Sequence, residues 1–65
     1  MTIILNGEER AIEARLLSLA LIELGYQDVV VATAVNGCFV PASMRSSTVL
    51  SDGDRIEVLA PMQGG

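Results

Sequence analysis

The sequence predicts an α+β fold in which a mixed sheet of four to five strands packs against one helix. Three observations predict it: short apolar runs typical of strands, Asn-Gly and Asp-Gly turn signals between them, and a single stretch with helical periodicity. The chain has 65 residues, 51% of them hydrophobic, so it has room for one small core. We predict a single domain over residues 1–65, in which residues 61–65 form a flexible tail.

The first half of the chain reads as a hairpin followed by the helix. Residues 2–5 and 9–14 are predicted strands, and Asn6-Gly7 between them is a strong two-residue turn signal. Residues 16–24 change to helical spacing, and Gly25 supplies the left-handed residue that ends many helices. The predicted inner face of the helix consists of Leu17, Ala20, Leu21 and Leu24.

The second half reads as three strands separated by turns. We predict a long central strand at 29–35, a turn at Asn36-Gly37 and a short strand at 38–40 that ends at Pro41. An irregular polar stretch with one tight helical turn is predicted at 42–51. A turn at 52–54 and a last strand at 55–60 follow it. A right-handed crossover places the last strand beside the first and parallel to it. This arrangement is the β-grasp architecture.

Composition and charge exclude several classes of function. The net charge is −4, so the chain lacks the basic surface that nucleic-acid binding requires, and a protein partner with a basic surface suits it better. Charged residues interrupt every apolar run before it reaches the length of a membrane span. The first residues have no basic start or cleavage site of a signal peptide, so we expect the protein in the cytoplasm. We also expect it to be a monomer.

The chain offers little for catalysis or metal binding. It has no histidine, and its one cysteine, Cys38, can form no internal disulfide. The carboxylate pairs at Glu8-Glu9 and at Asp52 and Asp54 lie at turns, where solvated side chains are the simplest interpretation. We therefore expect no cofactor, no metal and no enzymatic activity of its own.

The C-terminal residues are the exception. The chain ends in Gln63-Gly64-Gly65, directly after the last predicted strand. Glycines lack side chains and can pass through a narrow slot, so such a tail could deliver a terminal carboxylate into another protein's active site. A flexible end without a role is the competing interpretation.

Several stretches together resemble the ThiS family, the ubiquitin-like β-grasp sulfur carriers of thiamine biosynthesis. These stretches are residues 34–41, 52–58 and 63–65, supported by residues 3–7 and 23–26. The resemblance covers essentially the whole chain. Two positions depart from the family pattern: Leu16 replaces a polar helix start, and Met44 lies near a position where a large aromatic residue is common.

The resemblance implies that the chain is a protein co-substrate. It implies that an E1-like enzyme adenylates Gly65, that sulfur from a cysteine desulfurase or another donor converts it to a thiocarboxylate, and that thiazole synthase takes the sulfur. Gly64 and Gln63 would thread the tail into the partner.

The strand alternation predicts a docking surface beside this tail. The strand residues expected to face the helix are Ile3, Leu5, Ile56 and Val58, which leaves Leu59 and Ile4 on the open face of the sheet. We predict that Leu59, Ile4 and Met62 contact the partner proteins, because an exposed apolar patch often marks such a surface.

The sequence is also compatible with several related functions. A MoaD-like carrier for molybdopterin, or a carrier for tRNA thiolation or cysteine synthesis, would share the fold and the Gly-Gly end. A β-grasp binding module that is never activated would share the fold alone. A ubiquitin-like protein modifier is a further interpretation that the residues leave open.

Overall fold

A computed structural model describes residues 1–60 of the chain, so the predicted tail at residues 61–65 lies outside the described residues. The elements in chain order are β1 (Thr2–Leu5), β2 (Glu8–Ala11), α1 (Leu17–Glu23), β3 (Ala32–Val35), β4 (Cys38–Val40), a 3-10 helix (Ala42–Ser47) and β5 (Arg55–Leu59). The five strands form one sheet in the order β2-β1-β5-β3-β4. β5 is parallel to β1 and antiparallel to β3, which confirms the predicted mixed β-grasp sheet.

The two Asn-Gly pairs form the predicted hairpin turns. Asn6 and Gly7 have φ values of 49° and 87°, and Asn36 and Gly37 have values of 51° and 83°. Both central residues therefore adopt positive φ, as a two-residue turn with the twist of the flanking strands requires. Asparagine tolerates this conformation better than other residues with a side chain, which explains its place in both turns.

Helix α1 begins without a side-chain cap, as the apolar Leu16 predicted. The cap comes instead from a distant part of the chain, because the Leu17 N–H donates to the Thr48 carbonyl at 2.9 Å. Leu16 also pairs with Val49 in an isolated β-bridge. The helix ends as predicted, with Gly25 at φ 95°. No helix within residues 1–60 combines the length and apolar character needed to cross a membrane.

One apolar core lies between the sheet and α1. Its buried residues are Ile3, Leu5, Ile12, Leu17, Ala20, Leu21, Val31, Val40, Leu50, Ile56 and Val58. The inward positions expected on β1, β5 and the helix are confirmed, with Leu24 packed at the margin of the core. Two core residues were not predicted to be buried. Ile12 follows β2, and Leu50 belongs to the stretch predicted to be polar and irregular.

The prediction of a strand over 29–35 is wrong in its first three residues, because β3 begins only at Ala32. Ala32 pairs with Leu59, the last residue of β5, and within residues 1–60 no strand pairs with residues 29–31, which precede Ala32. Val29 and Val30 are 46% and 77% exposed, and the Val29 N–H bonds back to the Tyr26 carbonyl at 3.1 Å.

The 3-10 helix fixes the start of β3. The Arg45 guanidinium donates from Nη2 to the Val31 carbonyl at 2.6 Å and from Nε to the Thr33 hydroxyl oxygen at 3.1 Å. The Thr33 hydroxyl in turn donates to the Val40 carbonyl at 2.8 Å, so this buried polar group is satisfied. Met44 of the same helix is 52% exposed.

The segment between β2 and α1 is held by one carboxylate. β2 ends at Ala11, short of the predicted residue 14. The Glu23 carboxylate accepts the N–H of Ala14 at 2.9 Å and that of Glu13 at 2.9 and 3.0 Å to its two oxygens. These bonds, from Ala14 first and then from Glu13, lower the pKa of the Glu23 carboxyl below its ordinary value.

We expect Glu23→Gln to lower the free energy of unfolding at neutral pH, because bonds to an ionised acceptor are stronger than bonds to a neutral one. Since the folded-state pKa of Glu23 is lowered, its contribution is present above the pKa of the unfolded chain and is lost as the pH falls through the folded-state pKa. Thermal unfolding of the wild type and the variant between about pH 2 and pH 7 measures this difference. Glu9→Gln, at an exposed position of β2, is the control. Parallel pH curves for the Glu23 and Glu9 variants would contradict this role.

Candidate functional site

The structure locates only part of the predicted site. Leu59 and Ile4 lie on the described sheet, whereas Met62 and residues 63–65 fall outside the described residues. The described site is therefore the end of β5, from which the chain continues toward Gly65, and the sheet face around it.

β5 separates the core from the outer surface by strict alternation. Ile56 and Val58 are buried, while Arg55, Glu57 and Leu59 are exposed on the opposite face. Leu59 is 72% exposed, which confirms its predicted position on the open face.

Cross-strand pairs extend the apolar surface from Leu59 to the edge of the sheet. Leu59 pairs with Ala32 of β3. Two residues further along β3, Ala34 pairs with Phe39 of β4 on one side and with the exposed Glu57 of β5 on the other, so Glu57 borders the apolar residues. Phe39 is 69% exposed, because its neighbour Val40 takes the inward position. We call Ala32, Ala34, Phe39 and Leu59 the open-face patch. An exposed leucine and phenylalanine on one face fit a surface that binds another protein.

Phe39 was not predicted to lie on this surface, although the sequence contains a signal for it. A two-residue turn at Asn36-Gly37 fixes the register of its hairpin, and that register pairs Ala34 with Phe39. Phe39 therefore has to share the face of the outward-pointing Ala34.

Ile4 lies on the same face as Leu59 but apart from the open-face patch. It is half-buried and pairs with Arg55, four residues or about 13 Å along β5 from Leu59. A shallow depression of about 560 Å³ beside Ile4 is lined also by Arg55 and Glu57, so its surroundings are charged. The structure thus places the two predicted docking residues on one face without bringing them together.

Both Asn-Gly turns bond to β5 through their asparagine side chains. Asn6 accepts the Val58 N–H at 2.9 Å and donates to the Val58 carbonyl at 3.1 Å. Asn36 accepts the Arg55 N–H at 2.9 Å and donates to an Asp54 carboxylate oxygen at 3.0 Å. The sequence predicted only the turn role of these pairs, because the residues to which they bond are distant in the chain.

The carboxylates near the last turn have structural roles. Asp52 accepts the Thr2 N–H at 2.8 Å, and Asp54 accepts the Ser51 N–H at 2.8 Å in addition to the Asn36 amide. Both residues lie at a turn as expected, but their side chains are hydrogen-bonded rather than only solvated, and Asp54 is half-buried. Within residues 1–60, no group of three or more His, Cys, Asp or Glu side chains could hold a metal ion. Cys38 is exposed on β4, which is an edge strand of the sheet.

Comparisons with known proteins agree with this geometry. The chain is similar to the crystal structure of the thiamine biosynthesis protein ThiS from Geobacter metallireducens, with a TM-score of 0.82, 26% identity and an alignment that covers 100% of both chains. A solution structure of a thiamine biosynthesis protein from the same organism matches with a TM-score of 0.78 and 26% identity, over 100% of this chain and 88% of that one.

The sequence is also similar to a curated protein of greater length. It is 38% identical over 66 residues to a thiazole synthase from Paramagnetospirillum magneticum. The alignment covers 100% of this chain, which spans only 20% of that relative.

A family profile gives the assignment. The profile of the ThiS family matches residues 3–65, from the first strand through the Gly-Gly pair. The match includes both hairpin turns and β5, which build the described site, and it extends over the residues that follow β5 in the sequence. The chain belongs to the ThiS family.

Proposed function

We propose that this chain carries sulfur on Gly65 for the formation of the thiazole ring of thiamine. An E1-like enzyme adenylates the Gly65 carboxylate, which is then converted to a thiocarboxylate that supplies sulfur to thiazole synthase. The main support is the likeness to the ThiS protein of thiamine biosynthesis, which extends over the whole of both chains at a TM-score of 0.82.

The proposed chemistry explains why the carrier needs only a carboxylate. A carboxylate oxygen attacks the α-phosphate of ATP and releases pyrophosphate, which gives an acyl-adenylate with AMP as a good leaving group. The terminal sulfur of a donor persulfide, from a cysteine desulfurase or a similar enzyme, attacks the carbonyl carbon and expels AMP. A thiol then cleaves the acyl disulfide, forms a disulfide with the donor and frees the thiocarboxylate. None of these steps uses a catalytic side chain of the carrier.

The described fold supports this role through β5. The first part of the strand is paired with β1, and β3 pairs with the strand along its whole length to Leu59, so β3 holds its end in the sheet. The six residues from 60 to 65 can extend at most about 22 Å beyond the end of the strand, enough to enter a cleft in a partner. In this proposal Gly64 and Gln63 pass through the cleft, and Met62 contacts its entrance.

The proposed partners recognise the open face. The open-face patch, with Ile4 as a separate contact, docks the carrier on the activating enzyme and then on thiazole synthase. The match to a longer protein named thiazole synthase supports the choice of sulfur acceptor. The net charge of −4 favours partner surfaces that are basic around the docking site. We propose that the carrier acts as a monomer in the cytoplasm.

We expect charging to require the free carboxylate of Gly65. When the 65-residue chain is incubated with its activating enzyme, ATP and a sulfur donor, intact-mass spectrometry should show one terminal oxygen replaced by sulfur. A variant with one residue added after Gly65 should not be charged, because its terminal carboxylate is misplaced by one residue in the active site. A variant with Gly65 deleted should also fail. Equal sulfur incorporation in the extended chain would refute the proposed function.

We expect Leu59→Asp to impair docking while leaving the fold intact. Because Leu59 is 72% exposed, the change should lower the free energy of unfolding by less than about 1 kcal/mol. It should raise the KM of the activating enzyme for the carrier about tenfold or more, since it buries an unpaired charge at the interface. Adenylation rates measured by pyrophosphate exchange give this constant.

Val49→Asp is the matched control, because Val49 is 70% exposed but lies outside the sheet. We expect it to leave KM unchanged. Equal effects of the two substitutions on KM would show that the open-face patch is not the docking surface. Loss of the folded state in the Leu59 variant would contradict its assignment to the outer face.

A further inference from the structure

The end of β5 has a backbone partner on one side only. The ladder with β3 continues to the Ala32–Leu59 pair at the last residue of β5. The ladder with β1 stops at the Leu5–Ile56 pair, because β1 ends there and the chain turns away. Val58 and Leu59 therefore extend beyond the last residue of β1.

The Asn6 side chain occupies the place of the missing strand residue. A carboxamide carries one carbonyl acceptor and an N–H donor, as a peptide group does. Asn6 uses both on the same residue, accepting the Val58 N–H at 2.9 Å and donating to the Val58 carbonyl at 3.1 Å. Its own backbone N–H donates to the Ile56 carbonyl at 2.9 Å. One residue thus makes three hydrogen bonds to the last part of β5.

We propose that Asn6 is a positioning residue that holds the end of β5 in the sheet and so fixes the position of Leu59, the last residue of the strand. This inference rests on the proposed carrier function. In that function Leu59 contacts the activating enzyme while Gly65 enters its active site, so activation depends on a fixed position of Leu59 at the end of β5. Without the Asn6 amide, Val58 loses both of its partners on the β1 side, and the strand end is held by β3 alone. A partner then has to order the strand end as it binds, which weakens docking.

The second Asn-Gly turn provides a matched control within the same chain. Asn36 has almost the same conformation as Asn6, with φ values of 51° and 49°. It also bonds to β5 through its side chain, but at Arg55, the first residue of the strand. Asn36→Gly therefore removes a side-chain amide of the same kind from a turn of the same type, but one that bonds to the opposite end of β5.

The test compares Asn6→Gly with Asn36→Gly. Glycine adopts positive φ without strain, and Gly-Gly is an accepted sequence for this turn, so both variants should fold. Amide hydrogen exchange measured by NMR reports on strand ends in the free carrier. We expect Asn6→Gly to speed exchange of the Val58 N–H about tenfold and to leave Arg55 unchanged, and Asn36→Gly to give the reverse pattern.

Charging kinetics give the functional measurement. We expect Asn6→Gly to raise the KM of the activating enzyme for the carrier about fivefold, with kcat changed by less than about twofold, because the bound complex restores the strand end. Asn36→Gly should change KM by less than about twofold. Asn6→Asp keeps an acceptor for the Val58 N–H but places a carboxylate oxygen, which cannot donate, against the Val58 carbonyl, so its KM should lie between those of the wild type and Asn6→Gly.

The outcomes distinguish the two proposals. If the wild type is not charged at all, the carrier function itself fails. If the wild type is charged but the Asn6 and Asn36 variants show equal KM values, or Val58 exchange is unchanged in Asn6→Gly, the positioning role of Asn6 is wrong.

Discussion

The two-sided pairing of β5 is the constraint on which the rest of the structure depends. β5 enters the sheet between the parallel β1 and the antiparallel β3. Its inner residues Ile56 and Val58 are buried beneath the helix, while Leu59 on its outer face is exposed. A shift of one residue in its register would exchange these two sets and place the buried residues in solvent. The same register therefore fixes the buried side of β5, its exposed outer face and the position of Leu59 at the end of the strand.

Local signals in the sequence predicted much of this fold. The Asn-Gly pairs at positions 6 and 36 identified both hairpins, because few residues accept positive φ at consecutive positions. Alternation along β5 assigned its two faces correctly, and the leucine spacing identified the helix. These features were predictable because each depends on the conformation or periodicity of a few neighbouring residues.

The features that were missed depend on partners distant in the chain. Residues 29–31 have strand-like composition, but the described ladder between β3 and β5 ends at the Ala32–Leu59 pair, and no strand of the described part of the chain pairs with them. The sequence indicated that the helix has no local cap at Leu16, but it did not reveal the partner that replaces the cap. That partner is the carbonyl of Thr48, which accepts the Leu17 N–H and is distant in the chain. For the site, Leu59 was placed correctly by alternation, whereas the Asn6 bonds to β5 join residues 52 positions apart. Such a contact becomes visible only when the strand order is known.

We propose, as the central claim, that one face of the sheet presents both the open-face patch and the end of β5 to the enzyme that adenylates Gly65. NMR spectra of the ¹⁵N-labelled chain, titrated with the activating enzyme and ATP, test this claim most directly. The account predicts that signals of the open-face patch, above all Phe39 and Leu59, broaden first. The outer face of α1 also carries exposed apolar residues, Leu19 and Ile22. Broadening confined to Leu19 and Ile22, with Phe39 and Leu59 unaffected, would contradict the account.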